Sequence, residues 1–284
     1  GVFSFVLNQG DVVQVLSDPN TDPAGSLVQA DKPVQVIGGI SCANIPDTNT
    51  QACDHLEETV LPAETLGKRY LVAPPTGPKG NTPGHVVRLV GNVNGTKLTY
   101  KGQPPLGAPT TINAGQVVQL GLVQESFEIE GDHEFIVSTF MPGANLLDPN
   151  ALQEAKGDPS MSTATAIEQF RKSYVFLAPD DYDISYADVL APEGTSLTLD
   201  GQAVTVAPDP IQGTGYVVFR IKLGPGQGGA HQIIADKEVG LQVMGYGSYT
   251  SYQYPGGSNL TLIAPPPPKI NLKVSHPSLP LPNP

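Results

Sequence analysis

Apolar and polar residues alternate along this chain with a period of two, and the alternating runs are short. Residues 2–7, 12–16, 27–29, 34–40, 69–73, 85–90, 96–100, 117–123, 134–140, 174–178, 196–199, 203–206, 216–223, 231–234, 239–246 and 258–263 carry β-branched, aromatic or alternating patterns, which predict strands. Turns such as Asn94-Gly95, Pro142-Gly143 and Asp200-Gly201 separate them. Only 56–66, 151–156 and 164–170 tolerate a helical turn, and Pro62 interrupts the first. Many strands at short spacing predict an all-β chain of antiparallel sandwiches with Greek-key-like connections.

The pattern also recurs at long range. A turn followed by an apolar run appears as Ala30-Asp31-Lys32-Pro33-Val34, as Gly131-Asp132-His133-Glu134-Phe135 and as Ala235-Asp236-Lys237-Glu238-Val239, the aspartates lying 101 and 104 residues apart. A glycine-led valine run precedes each one, at Gly10–Val15, Gly115–Leu120 and Gly215–Arg220. The later copies share more: Gly95-Thr96-Lys97-Leu98-Thr99 returns as Gly194-Thr195-Ser196-Leu197-Thr198, and Lys68-Arg69-Tyr70-Leu71 resembles Lys172-Ser173-Tyr174-Val175. Such recurrence predicts duplicated modules: a partial repeat over 1–63, sandwich repeats over 64–156 and 157–263, and a proline-rich linker or tail strand over 264–284. The first repeat is incomplete, because its opening strands are missing. Lys269–Ser275, with alternating Ile270, Leu272 and Val274, is a candidate to complete it or to mediate self-association.

Composition narrows the function. With 31 Gly and 29 Pro among 284 residues, long helices are disfavoured. A net charge of −12 disfavours nucleic acid, whose phosphates it would repel. No apolar run approaches the eighteen or so residues that predict a membrane-spanning helix, so no membrane insertion is expected. Cys42 and Cys53 are the chain's two cysteines. In an exported protein they would close a small loop worth about 2–3 kcal/mol; otherwise they are free thiols. Cys53-Asp54-His55 alone lacks the spacing of a zinc site or an activated thiol. No P-loop, GxSxG or HExxH stands in the chain, and no catalytic residues are expected.

Two clusters have ligand chemistry. Asp18, Asn20 and Asp22 alternate ahead of Gly25 like the first half of a calcium loop, but Gln29 replaces the closing acid. The same spacing suits a solvated Asx-turn. Asp180, Asp181, Asp183 and Asp188 form an acidic group after Pro179, placed by the pattern in a connecting loop that binds Ca²⁺ or faces water. Tyr246, Tyr249, Tyr252 and Tyr254 sit among small residues, which suits either an adaptable recognition loop or a tyrosine-rich edge strand.

Gly25–Val34, Gly38–Ala43, the block from Cys53-Asp54-His55-Leu56 to Tyr70, Gly157-Asp158-Pro159-Ser160-Met161 and Leu197–Val204 occur in an order that resembles the N-terminal domain of the IgG Fc-binding protein family. The resemblance covers about residues 1–263 and is to a bacterial-type member. It implies a secreted, β-rich, non-enzymatic module for recognition or adhesion, with a protein or glycan ligand on a cell surface or matrix. It carries over no ligand-contacting residues. The alternative is a structural subunit of a surface layer or filament, completed by strand exchange.

Overall fold

The computed structural model describes residues 2–18, 21–151, 153–223 and 228–265. Residues 2–36 make turns but no strand among those described. The chain then forms a hairpin of β1 (Ile37–Ala43) and β2 (Asp54–Thr59). The disulfide Cys42–Cys53 crosses it, with 5.2 Å between the Cα atoms.

The first sandwich holds β3 (Arg69–Val72), β4 (His85–Gly91), β5 (Thr96–Gly102), β6 (Thr111–Ile112), β7 (Val117–Val123), β8 (Phe127–Gly131), β9 (Phe135–Met141) and β10 (Ser160–Thr163). One sheet runs β3-β8-β5-β6 and the other β10-β9-β4-β7, all antiparallel. Their inward faces supply the core of Val72, Val87, Leu89, Leu98, Phe127 and Phe135 with its neighbours. A short helix, α1 (Ala144–Leu147), follows β9.

The second sandwich holds β11 (Arg171–Ala178), β12 (Ile184–Pro192), β13 (Leu197–Leu199), β14 (Gln202–Ala203), β15 (Asp209–Ile211), β16 (Tyr216–Leu223), β17 (Gly229–Gly247) and β18 (Thr250–Pro255). Strand β17 belongs to both sheets: Gly229–Ala235 pairs with β11 and β13, and Gly240–Gly247 with β12 and β18. In the first sandwich the same path is split into β8 and β9 by Asp132-His133-Glu134.

The two sandwiches share one hydrogen-bonding plan. Tyr70 Oη donates to Phe135 O at 2.6 Å, and Tyr174 Oη to Val239 O at 2.5 Å. Asp132 Oδ1 accepts from Lys97 N, and Asp236 Oδ1 from Ser196 N, at 2.8 and 3.0 Å. Thr96 and Thr195 hydroxyls each donate to the carbonyl three residues back, at 2.8 and 2.6 Å. These groups tie turn to strand, so the recurring aspartates fix where each module's two sheets part company.

Several expectations need correction. The runs 2–7, 12–16 and 27–29 form no strands, and the run over 34–40 pairs only from Ile37. Their apolar side chains, Phe3, Val6, Val12 and Leu16 among them, stay exposed. An alternating run becomes a strand only when another strand takes up its backbone groups, and residues 2–36 find none among the described residues. Residues 258–263 likewise hydrogen-bond to Gln169, Phe170 and Glu64 without joining a sheet. The helical turns fall at Ala63–Thr65, Ala144–Leu147 and Ile167–Gln169, and 151–156 has none among its described residues. Lys269–Ser275 lies outside the described residues.

Candidate functional site

The junction between the sandwiches buries several polar groups, Thr76, His85 and Asp188 among them. The outer face of the β12-β16-β17 sheet is covered by the first sandwich, so β12 is buried on both faces. Leu71, Phe170, Ile211 and Val218 pack on one side of the junction, and Met141, Leu147, Tyr186, Met244 and Tyr246 on the other.

Between these patches lies Asp188, buried in the middle of β12 and not in a loop as the acidic pattern suggested. Its carboxylate accepts from Thr76 N (2.9 Å), Thr76 Oγ1 (2.6 Å) and Arg220 Nη1 (2.9 Å). Burial pushes its pKa up, against the opposing pull of Arg220 and Thr76. Arg220 also donates to Pro74 O and to Asp209. Tyr246 Oη donates to Thr76 O at 2.7 Å, and burial raises its pKa well above the ordinary phenol range. The segment Pro74–Thr76 of the first sandwich is therefore held by three side chains of the second.

Beside this network a cavity of about 40 Å³ is lined in part by His85, Thr139, Thr165, Leu190, Gln242 and Gln253. His85 is buried, and neither ring nitrogen hydrogen-bonds to any described residue. Desolvation, with Arg220 nearby, lowers its pKa to about 3, so it is neutral at physiological pH. A neutral imidazole that hydrogen-bonds to no described residue suits packing rather than proton transfer.

The four tyrosines do not share one surface. Tyr246 is wholly buried, and Tyr252 and Tyr254 are half-buried, bonded to Ser185 and Leu177 and in contact with one another. Tyr249 is 54% exposed. It is the second residue of the two-residue loop joining β17 to β18, at φ +51°. That conformation is unusual for a bulky L-residue. The loop is pinned to the 155–157 segment by Tyr249 N to Ala155 O and Gly157 N to Gly247 O, both 2.9 Å.

The acidic residues also have other partners. Asp22 accepts from Ala24 N in an Asx-turn and from Arg88 Nη1 at 3.1 Å; Asp18 is exposed, and Asn20 lies outside the described residues. Asp183 pairs with Lys156 at 2.8 Å, while Asp180 and Asp181 are exposed. Among the described residues no three His, Cys, Asp or Glu side chains converge to hold a metal ion. His55, next to the disulfide, meets Glu57 at 3.3 Å.

The family model described as IgGFc binding protein matches residues 1–245. The chain belongs to this family. A human relative, "IgGFc-binding protein", is 24% identical over 267 residues, which is 90% of this chain but 5% of that protein's length. No solved structure matches the chain. The family match takes in the disulfide hairpin, the first sandwich and the second as far as Gly245. The Asp188–Arg220–Thr76 junction thus lies within it, and the Tyr249 loop just past its end.

Sequence reasoning missed the junction. Asp188 and Arg220 are far in the chain from Thr76 and His85, and the four match no motif. The detectable signal was Ile184–Pro192, a mostly apolar strand with a single carboxylate at its centre.

Proposed function

We propose that this chain is a non-catalytic extracellular binding module that presents one surface loop to a protein ligand. The observation carrying this reading is Tyr249: an exposed aromatic in a strained left-handed conformation, on a two-residue turn clamped at both ends. Strain of this kind, about 1–3 kcal/mol, persists where the surroundings over-determine it, and it concentrates at ligand-contacting positions. An ordered tyrosine gives large contact area at little entropic cost on binding. Family membership supports a binding role, and the relative's name makes immunoglobulin G Fc the first ligand to try. The disulfide supports secretion, and attachment to a cell surface or matrix through the same ligand is the adhesive form of this role.

Biolayer interferometry against immobilised Fc, and a glycan and protein array, test the reading with the wild-type chain and with Tyr249→Gly. Glycine relieves the positive φ, so the variant is expected to melt no lower than wild type while binding at least about tenfold more weakly, as loss of an interface tyrosine does. Equal binding by the two proteins to every hit refutes the assignment of Tyr249, and an array without hits refutes the binding role.

A further inference from the structure

Strand β11 is an edge: among the described residues its one strand partner is β17. Leu177 N and Leu177 O both bond the Tyr254 hydroxyl, which lies on the side away from β17. The backbone groups of Ser173 and Val175 point the same way, by the two-residue repeat of a strand. On the outer face Val175 is 68% and Leu177 57% exposed, and Ile234, paired opposite Ser173, is 48% exposed. No charged residue stands between Lys172 and Asp180. Arg171, Lys172 and a register irregularity between Arg171 and Ser173 lie at the start of the strand, but Ser173–Ala178 carries none of the charges, prolines or bulges that normally protect an edge.

The equivalent place in the first sandwich is already a contact between modules. Tyr70 and Tyr174 play the same part, so Leu71 corresponds to Val175 and Ala73 to Leu177. Leu71 is buried, and Ala73 half-buried, against Phe170, Ile211 and Val218 of the second sandwich. The fold uses this strand to join modules, and in the second sandwich the described residues leave its edge unpaired at Ser173 and Val175, while the Tyr254 hydroxyl holds Leu177 N and O and would be displaced by a strand pairing there.

We propose that β11 is a self-association edge whose occupant is β11 of a second copy of this chain, paired antiparallel about a two-fold axis near Val175. The charges select that occupant. Arg171 and Lys172 open the strand, and Asp180 and Asp181 follow its end, all four exposed. Antiparallel pairing sets the basic end of each copy beside the acidic end of the other and stacks Val175 and Leu177 on their counterparts. An isologous interface needs this self-complementarity. The surface is separate from the Tyr249 loop, so the inference does not rest on the ligand-binding reading.

Sedimentation velocity on the whole chain, from about 1 to 500 μM to bracket a micromolar dissociation constant, is expected to show a reversible shift from one chain mass, 29.8 kDa, to two. Val175→Lys, at an exposed position, should raise the dimer dissociation constant at least about tenfold. Two charge-inverted variants give the sharper test: one with Arg171→Glu and Lys172→Glu, the other with Asp180→Lys and Asp181→Lys. Each alone should be monomeric, and their equimolar mixture should dimerise, because both ends then meet opposite charge. A monomer at every concentration overturns the proposal, including one whose residues 173–177 resist hydrogen exchange because residues 266–284 cover them. So does a dimer indifferent to Val175→Lys, or a mixture no more associated than its components.

Discussion

His85→Leu tests the junction most directly. The neutral imidazole is buried with two ring nitrogens that hydrogen-bond to no described residue, and leaving such groups unmet costs about 1–3 kcal/mol. Leucine fills similar space without them, so at pH 7 the variant should be more stable by about 1–2 kcal/mol. The pH dependence is larger. The folded-state pKa is near 3 against 6.5 for the free side chain, so below pH 6.5 the unfolded chain takes up a proton that the folded chain refuses. Wild-type stability therefore drops as pH falls through 6.5, and the loss saturates only near pH 3. Between pH 7 and pH 4.5 the histidine contributes a loss of about 2.5 kcal/mol that leucine cannot. Asp158, pushed up to about 6 by burial, and Asp188 shift stability in the opposite direction, but both proteins carry them, so the difference isolates His85. Urea unfolding of both proteins at the two pH values measures it. A stability gap that stays constant between pH 7 and pH 4.5 would refute the buried, uncharged histidine.

Asp188→Ala leaves the Arg220 guanidinium, 13% exposed, without its buried partner. It should cost about 3–5 kcal/mol, whereas Asp188→Leu with Arg220→Met should recover most of that loss in the same urea assay. Asp132→Ala and Asp236→Ala each remove the acceptor for one backbone N–H, Lys97 N and Ser196 N respectively. Each should lower stability by about 1 kcal/mol, and a threefold disparity would show that the two turns are not equivalent. Cys42→Ser with Cys53→Ser opens a loop of sequence separation 11. It should cost about 2–3 kcal/mol, with new amide exchange confined to residues 37–61 if the sandwiches fold without the hairpin.

The fold was legible where a run had a partner strand and illegible where it did not. Val117–Val123 and Phe135–Met141 are rich in β-branched and aromatic residues and form strands; Val2–Leu7 has the same composition and forms none, because strand formation depends on a neighbour that composition cannot reveal. Phe127–Gly131 was missed because Glu128 and Glu130 mask it. Glu128 is buried all the same, between Arg69 and Lys101 at 2.8 Å each. The recurring aspartates at 132 and 236 fall on turns with like hydrogen bonds, Lys97 N and Ser196 N each donating to the aspartate's Oδ1. The tyrosine-rich segment was legible as a β-strand, β18, but not in its burial: Tyr246 and Tyr249 are three residues apart, one at the centre of the junction and one in solvent.

The junction chemistry suggests how such modules are joined in series. By strand register, Arg88 and Gln119 of the first sandwich stand where Asp188 and Arg220 stand in the second, since Arg88 pairs with Gln119 and Ser138 as Asp188 pairs with Arg220 and Gln242. In the second sandwich this pair clamps Thr76 from the preceding module. In the first, Arg88 bonds both Gln119 and Asp22, which also comes from the preceding segment. The apolar patch beside it is covered by the disulfide hairpin through Leu56 on Val86 and Phe140. The same sheet face therefore receives its predecessor in both modules, with the acid on the sheet in one and on the incoming chain in the other. A half-exposed aspartate with an arginine at the surface contributes less than about 1 kcal/mol, while the buried Asp188–Arg220 pair penalises any separation of the two sandwiches strongly. The second junction is consequently the rigid one, and flexing of the chain under load should concentrate between residues 22 and 69, ahead of the first sandwich.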